Sequence, residues 1–310
     1  MSTPTFERPF PALTSAQRYY LDTFGYVVIQ DTLAPEDVEK LKESLYRLRY
    51  ELTRRPKSSS PGPGGHEAFL LKNDPHHHFM ANIVESDPIV TSYATHPILV
   101  SMAEELIGGE ARIVEMNAHI NSRIPHEDLN ASSPYGFHRG TDIPFGTHTK
   151  NGLFHCNFVK TLTNLTDLGP DDGGTVAIAG SHKIDAPTED IIAAAYQDRS
   201  LIHQVIAPAG STLLFSETLI HATGHICSNN ERVIIITGYG STLFPYWDRG
   251  TLSNTFKKEI PPQLKTLFHG KSHWTRGPRY RKLNTPTDNR EFPMGKWNDR
   301  SVLKEQKQPS

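Results

Sequence analysis

Apolar residues recur at helical spacing in Leu13-Thr14-Ser15-Ala16-Gln17-Arg18-Tyr19-Tyr20-Leu21-Asp22-Thr23-Phe24. The segment opens on a good N-cap residue, and Gly25 stops it. Tyr26-Val27-Val28-Ile29-Gln30 reads as a short buried strand, and Ala34 to Leu52 as an amphipathic helix with Pro35 and two acids in its first turn. A further helix is expected over Pro97 to Ile107, closed by Gly108-Gly109, followed by an alternating strand over Ala111 to Asn121. Alternation resumes from Gly152 to Leu165. Short β-rich runs follow at 174–179, 201–206, 211–215 and 232–239, interrupted by a helix over Thr188 to Tyr196 with Thr188 as its expected cap. These strands suffice for a two-sheet jelly roll.

Three stretches break the pattern. Residues 54–66 are rich in Pro, Gly and Ser and read as a loop, either a lid or plain coil. His76-His77-His78 is expected in a loop with at most one useful histidine, because adjacent residues on a regular element cannot face one site. Beyond Tyr246 periodicity fades, and 269–282 becomes basic, with Arg276 and Arg279 among its cations and Trp274 and Tyr280 between them.

Composition adds bounds rather than detail. The 310 residues, with hydrophobic content of 36%, charged content of 21% and a net charge of −2, fit one catalytic domain over 1–310 and give no bulk sign of nucleic-acid or membrane partners. Two cysteines, Cys156 and Cys227, are too few for a disulfide framework. The first residues lack a charged-then-apolar signal, so a reducing cytoplasm is the default expectation.

The chemistry is expected in Phe137-His138-Arg139-Gly140-Thr141-Asp142, joined by His221 in Ser216-Glu217-Thr218-Leu219-Ile220-His221-Ala222-Thr223-Gly224-His225 and by Arg232, eleven residues after His221. Two neutral imidazoles and one carboxylate on a single face suit Fe(II). Here the position two after the first histidine is Gly140. Strand alternation puts Lys160 on one face with Phe158 and Leu162. If that face looks into the barrel, the ammonium needs an anionic partner, which cofactor or substrate could provide; the other reading turns it outward.

Together with the turn Asp167-Leu168-Gly169-Pro170-Asp171-Asp172-Gly173-Gly174-Thr175 and the segment Ala179-Gly180-Ser181-His182-Lys183, these stretches resemble the phytanoyl-CoA dioxygenase branch of Fe(II)/2-oxoglutarate-dependent oxygenases. The likeness spans residues 14–247. It implies a mainly β fold with flanking α, its core a double-stranded β-helix (jelly roll, cupin-like), and a C-terminal extension over 248–310 that could cover the substrate. It also implies iron held by His138 and His221, and 2-oxoglutarate gripped by Arg232 with help from Thr223, while the strand before the iron motif offers Asn117, Asn121 and Arg123. The co-substrates are then Fe(II), 2-oxoglutarate and O2.

The His138-Arg139-Gly140 motif also resembles the non-haem iron halogenases of this group, in which Ala or Gly replaces the carboxylate and a halide takes its place, so that chlorination of an unactivated carbon becomes the leading expectation and chloride a further cofactor. The rivals are a hydroxylase with Asp142 or water as third ligand, and a binding protein that keeps only the fold. A small anionic metabolite such as a nucleotide would suit the arginines Arg139, Arg276 and Arg279, with Asp142 beside them, and a carrier-tethered acyl group remains an alternative.

Overall fold

The computed structural model describes residues 12–55, 66–125, 134–140, 146–150, 152–245 and 251–271. The chain begins with α1 (Ser15–Phe24), β1 (Tyr26–Ile29) and α2 (Pro35–Arg54), then β2 (Phe69–Asp74), β3 (His77–Ala81), α3 (Pro88–Ala94), α4 (Pro97–Ile107) and β4 (Ala111–Asn121). A hairpin of β5 (Thr147–Lys150) and β6 (Leu153–Cys156) leads to β7 (Phe158–Asn164) and β8 (Val176–Ile178). Helix α5 (Thr188–Gln197) precedes β9 (Ile202–Gln204), β10 (Thr212–Ser216), β11 (His221–Ala222) and β12 (Arg232–Ser241). The short helices α6 (Asn254–Glu259) and α7 (Lys265–His269) close the described chain. No helix among the described residues is long and apolar enough to cross a membrane.

Two sheets form the jelly roll. The larger runs β1-β10-β7-β12-β4-β3-β2 and the smaller β11-β8-β9, every pairing antiparallel. One face of the large sheet is covered by α2, α3 and α4, with Leu41, Leu45, Leu99, Val100, Leu214 and Ile235 in one continuous core. The opposite face meets the small sheet through a second cluster that includes Tyr26, Leu162, Ala177, Leu213, Phe215 and Ile234. Residues two apart on a strand share a face. Register therefore carries Glu115, Asn117, His119 and Asn121 of β4, Lys160 of β7 and Arg232 of β12 to this second, inner face.

Several expectations change in detail. Thr14 caps α1 as a capping box with Gln17, but Thr188 is the first helical residue of α5 and Pro187 occupies its cap, with no side-chain bond. His77 and His78 lie on β3 rather than in a loop, because the strand pairs with β4 over His77 to Ala81. Of these two, His77 faces the interior, where its Nε2 lies 3.0 Å from His119 Nδ1. Strand β2 and helix α3 escaped the periodicity reading: β2 has no buried residue to mark a face, and α3 spans only seven residues. The loop residues 56–65 and the basic stretch from 272 onward lie outside the described residues.

His182 clamps the N-terminal unit to the barrel. Gly25 ends α1 with φ +85°, and a Cβ there would come within 2.5 Å of the His182 ring, so both conformation and contact demand glycine. Phe154 meets the same ring edge-on at 4.7 Å. Burial, with Lys183 adding to it, pushes His182 down to about 4. Because that value lies below its ordinary 6.5, the unfolded chain binds the extra proton, and stability present above pH 6.5 drains away as pH falls toward 4. Urea midpoints measured between pH 7 and pH 4.5 should fall less steeply for His182→Gln than for the parent chain.

Candidate active site

His138 and His221 are brought together by backbone. His138 N–H donates to the His221 carbonyl and His221 N–H to the His138 carbonyl, both at 3.0 Å, so the iron-motif segment adds itself to the edge of β11. This is an antiparallel pair directly opposite each other, and the two rings lie with centroids 4.5 Å apart. Each ring is oriented by a carbonyl two residues before it: His138 Nδ1 donates to Gly136 O at 3.1 Å and His221 Nδ1 to Leu219 O at 2.9 Å. A carbonyl can only accept, so both Nδ1 atoms carry the proton and both Nε2 lone pairs are left for a metal. Burial, reinforced by His138, pushes His221 down to about 3, which keeps the ring neutral. Phe215 packs edge-on against it at 4.7 Å.

The side of the segment where a ligating carboxylate would be expected is not open space. Gly140 N–H donates to Glu217 O at 3.0 Å, and a Cβ built on Gly140 would fall 1.1 Å from Glu217 Oε2 and 2.3 Å from its carboxyl carbon. Glu217 therefore fills the volume that a side chain at position 140 would claim. Its residue is 1% exposed. The carboxylate is turned to Lys160, whose Nζ lies 2.7 Å from Glu217 Oε1 and 2.8 Å from Glu115 Oε1. Burial alone would lower Lys160, but the two glutamates outweigh it and hold the ammonium protonated well above its usual range. The inward reading of Lys160 is the one the fold adopts, and its anionic partners are the protein's own carboxylates.

Arg232, on the same inner face, carries buried donors without acceptors. Arg232 is 2% exposed and gives Nη2 to Thr175 Oγ1 at 3.2 Å, while its Nε and Nη1 have no hydrogen-bond partner. Unmatched buried donors are costly, and a planar guanidinium fork matches a carboxylate. Burial lowers Arg232 to about 10, still charged at neutral pH. Asn121 stands opposite Arg232 in the β4–β12 register and leaves its Oδ1 unpaired. Asn121 and Thr223 line a cleft of about 180 Å³ with His76, His77 and His225.

The remaining expected contacts lie elsewhere. The Arg139 guanidinium donates to the carbonyls of Ile184 and Ala186, at 3.3 and 3.4 Å, beside α5. Asn117 is spent on Glu115, 2.8 Å away. Asp142, Arg276 and Arg279 lie outside the described residues. Among the described residues no three His, Cys, Asp or Glu side chains already converge as a finished metal cage. Glu217 and Glu115 are the functional groups that the sequence reading missed. For Glu115 there was a signal, since it shares an alternating face with Asn117, His119 and Asn121; for Glu217 there was only an acid at the end of an apolar strand.

A jelly roll that presents two lone-pair-bearing histidines and a buried, half-satisfied arginine on its inner face defines a non-haem iron, 2-oxoglutarate-dependent oxygenase, an oxidoreductase. The chain belongs to the phytanoyl-CoA dioxygenase family, whose family model matches residues 21–234. Among curated relatives, Dioxygenase trt7 of Aspergillus terreus is 24% identical over 71% of this chain and 70% of its own length. L-proline trans-4-hydroxylase of Streptomyces griseoviridis is 22% identical over 74% and 86%. The fold is also that of HygX from Streptomyces hygroscopicus with nickel and 2-oxoglutarate bound, at a TM-score of 0.61 and 22% identity over 78% of this chain and 97% of that one.

His221→Ala should abolish iron-dependent consumption of 2-oxoglutarate, followed as succinate formed. Arg232→Lys keeps the charge but loses the fork; it should weaken 2-oxoglutarate binding about tenfold or more, read by calorimetry on the metal-loaded protein.

Proposed function

We propose that this protein oxidises an unactivated C–H bond of a small metabolite with Fe(II), 2-oxoglutarate and O2, and that the outcome is oxygen transfer, as in a hydroxylase. When bound, iron and 2-oxoglutarate would supply the oxidising power, drawn from dioxygen, that removes the substrate hydrogen. His138 and His221 would hold the metal through Nε2, and the Leu219 and Gly136 carbonyls keep those rings from turning. Arg232 would take the far carboxylate of 2-oxoglutarate on its free Nε and Nη1, with Asn121 opposite it in the strand register. Small-molecule substrates are supported by the proline-hydroxylating relative and by HygX, which has also been solved with hygromycin B. A phosphate-bearing substrate such as a nucleotide is supported only by the cationic composition of 269–282.

One observation carries oxygen transfer over halogenation: the Glu217 carboxylate occupies the space beside Gly140. A halide there would sit against a buried anion. Halogenation is the second reading, favoured by the absence of any ligating atom on Gly140 itself. It requires Glu217 to leave that space.

The visible charge-transfer band of the anaerobic Fe(II) and 2-oxoglutarate complex decides between them. Its position should not move when chloride is added, and turnover under labelled dioxygen should place the label in the product. A chloride-dependent shift together with a chlorinated product would overturn oxygen transfer.

A further inference from the structure

We infer that Glu217, delivered from the turn after β10, is the carboxylate that completes the iron site in place of the missing side chain at position 140. The inference rests on the iron and 2-oxoglutarate reading above and deepens it. Three observations on different atoms converge on it.

The first is spatial. Glu217 Oε2 lies 1.1 Å from where a residue-140 Cβ would be, so a carboxylate stands on the side of the strand from which Asp at 140 would act. Gly140 N–H to Glu217 O at 3.0 Å and the double bond between His138 and His221 fix both backbones across that gap. Gly140 then becomes a requirement rather than a vacancy. Its φ lies outside the left-handed region, so what excludes a side chain there is the Glu217 carboxylate and not backbone strain.

The second is charge. Lys160 is one ammonium between two buried carboxylates, at 2.7 and 2.8 Å, which leaves one negative charge over. A divalent cation on two neutral imidazoles balances that excess, and a carboxylate shared between lysine and metal is satisfied on both oxygens. The third is freedom of movement. Glu217 extends from the backbone along two methylenes, and among the described residues its ion-pair partner is Lys160, at Oε1. Its side-chain bonds let the carboxylate turn while the Gly140 N–H bond holds its backbone. Glu115 remains to keep Lys160 paired.

The test is anaerobic titration of the full chain with Co(II), then with Fe(II) and 2-oxoglutarate, in wild type, H221A, E217Q, E217A and the exchange variant G140D/E217A. Dissociation constants and ligand-field spectra are the readouts. E217Q keeps the shape and a bond to Lys160 but makes a poor ligand, so it separates ligation from packing. Losing a ligand should weaken metal binding at least as much as losing an orienting partner, about 10–100-fold. We expect that loss in E217A and E217Q, and its recovery in G140D/E217A, where removal of Glu217 makes room for a side chain at 140. The iron charge-transfer band should also become chloride-sensitive in E217A alone. If H221A loses metal while E217Q binds it as wild type does, Glu217 is not a ligand, although the iron reading stands. If H221A itself binds metal normally, the iron reading falls and takes this inference with it.

Discussion

Two backbone hydrogen bonds between His138 and His221 hold together residues that the chain separates by most of the jelly roll. Everything at the site depends on that bridge, because an antiparallel pair directly opposite puts both side chains on the same face at close range. It also sets the neighbouring contact, in which Gly140 donates to Glu217. The bridge in turn depends on β11 being held by β8, and β8 by β9, while Phe215 of the large sheet packs against the His221 ring. The pairing of the two histidines is thus a property of sheet edges set by packing between sheets.

The electrostatics follow from burial. A cavity between two sheets gives little solvation, so each charged group in it needs a partner. Lys160 has two, and Arg232 has fewer acceptors than donors. One end of the site accordingly carries an excess carboxylate and the other an excess of cationic donors. Were a metal bound, His138 and His221 would hold it, and the free donors of Arg232 would suit a carboxylate.

The sequence was most informative where chemistry is local. The α1 cap and its glycine stop, α2 and α4, the long alternation of β4 and the strands β7, β10 and β12 follow from periodicity and capping alone, since hydrogen bonding within a helix and alternation along a strand need no distant partner. Motif order and spacing singled out the two histidines and the arginine, and the fold pairs the histidines and buries the arginine. Short elements were not legible: β2 has no buried residue and α3 is two turns long, so neither leaves a pattern to read. His77 joined a strand because β4 offered it hydrogen-bonding partners, which no neighbour in sequence announces.

Gly140 marks the boundary between the two kinds of knowledge. By itself the sequence determined that the residue two after His138 brings no ligating atom, and it singled out His221 and Arg232 by their spacing while leaving the face of Lys160 open. It could not say what stands in the gap, because a glycine specifies only the absence of a side chain. Tertiary structure decided that a carboxylate from 77 positions later fills it, for the crossing of β10 and β11 past the iron-motif segment is set by pairing between strands, and a buried acid takes its place where a lysine from a third strand meets it.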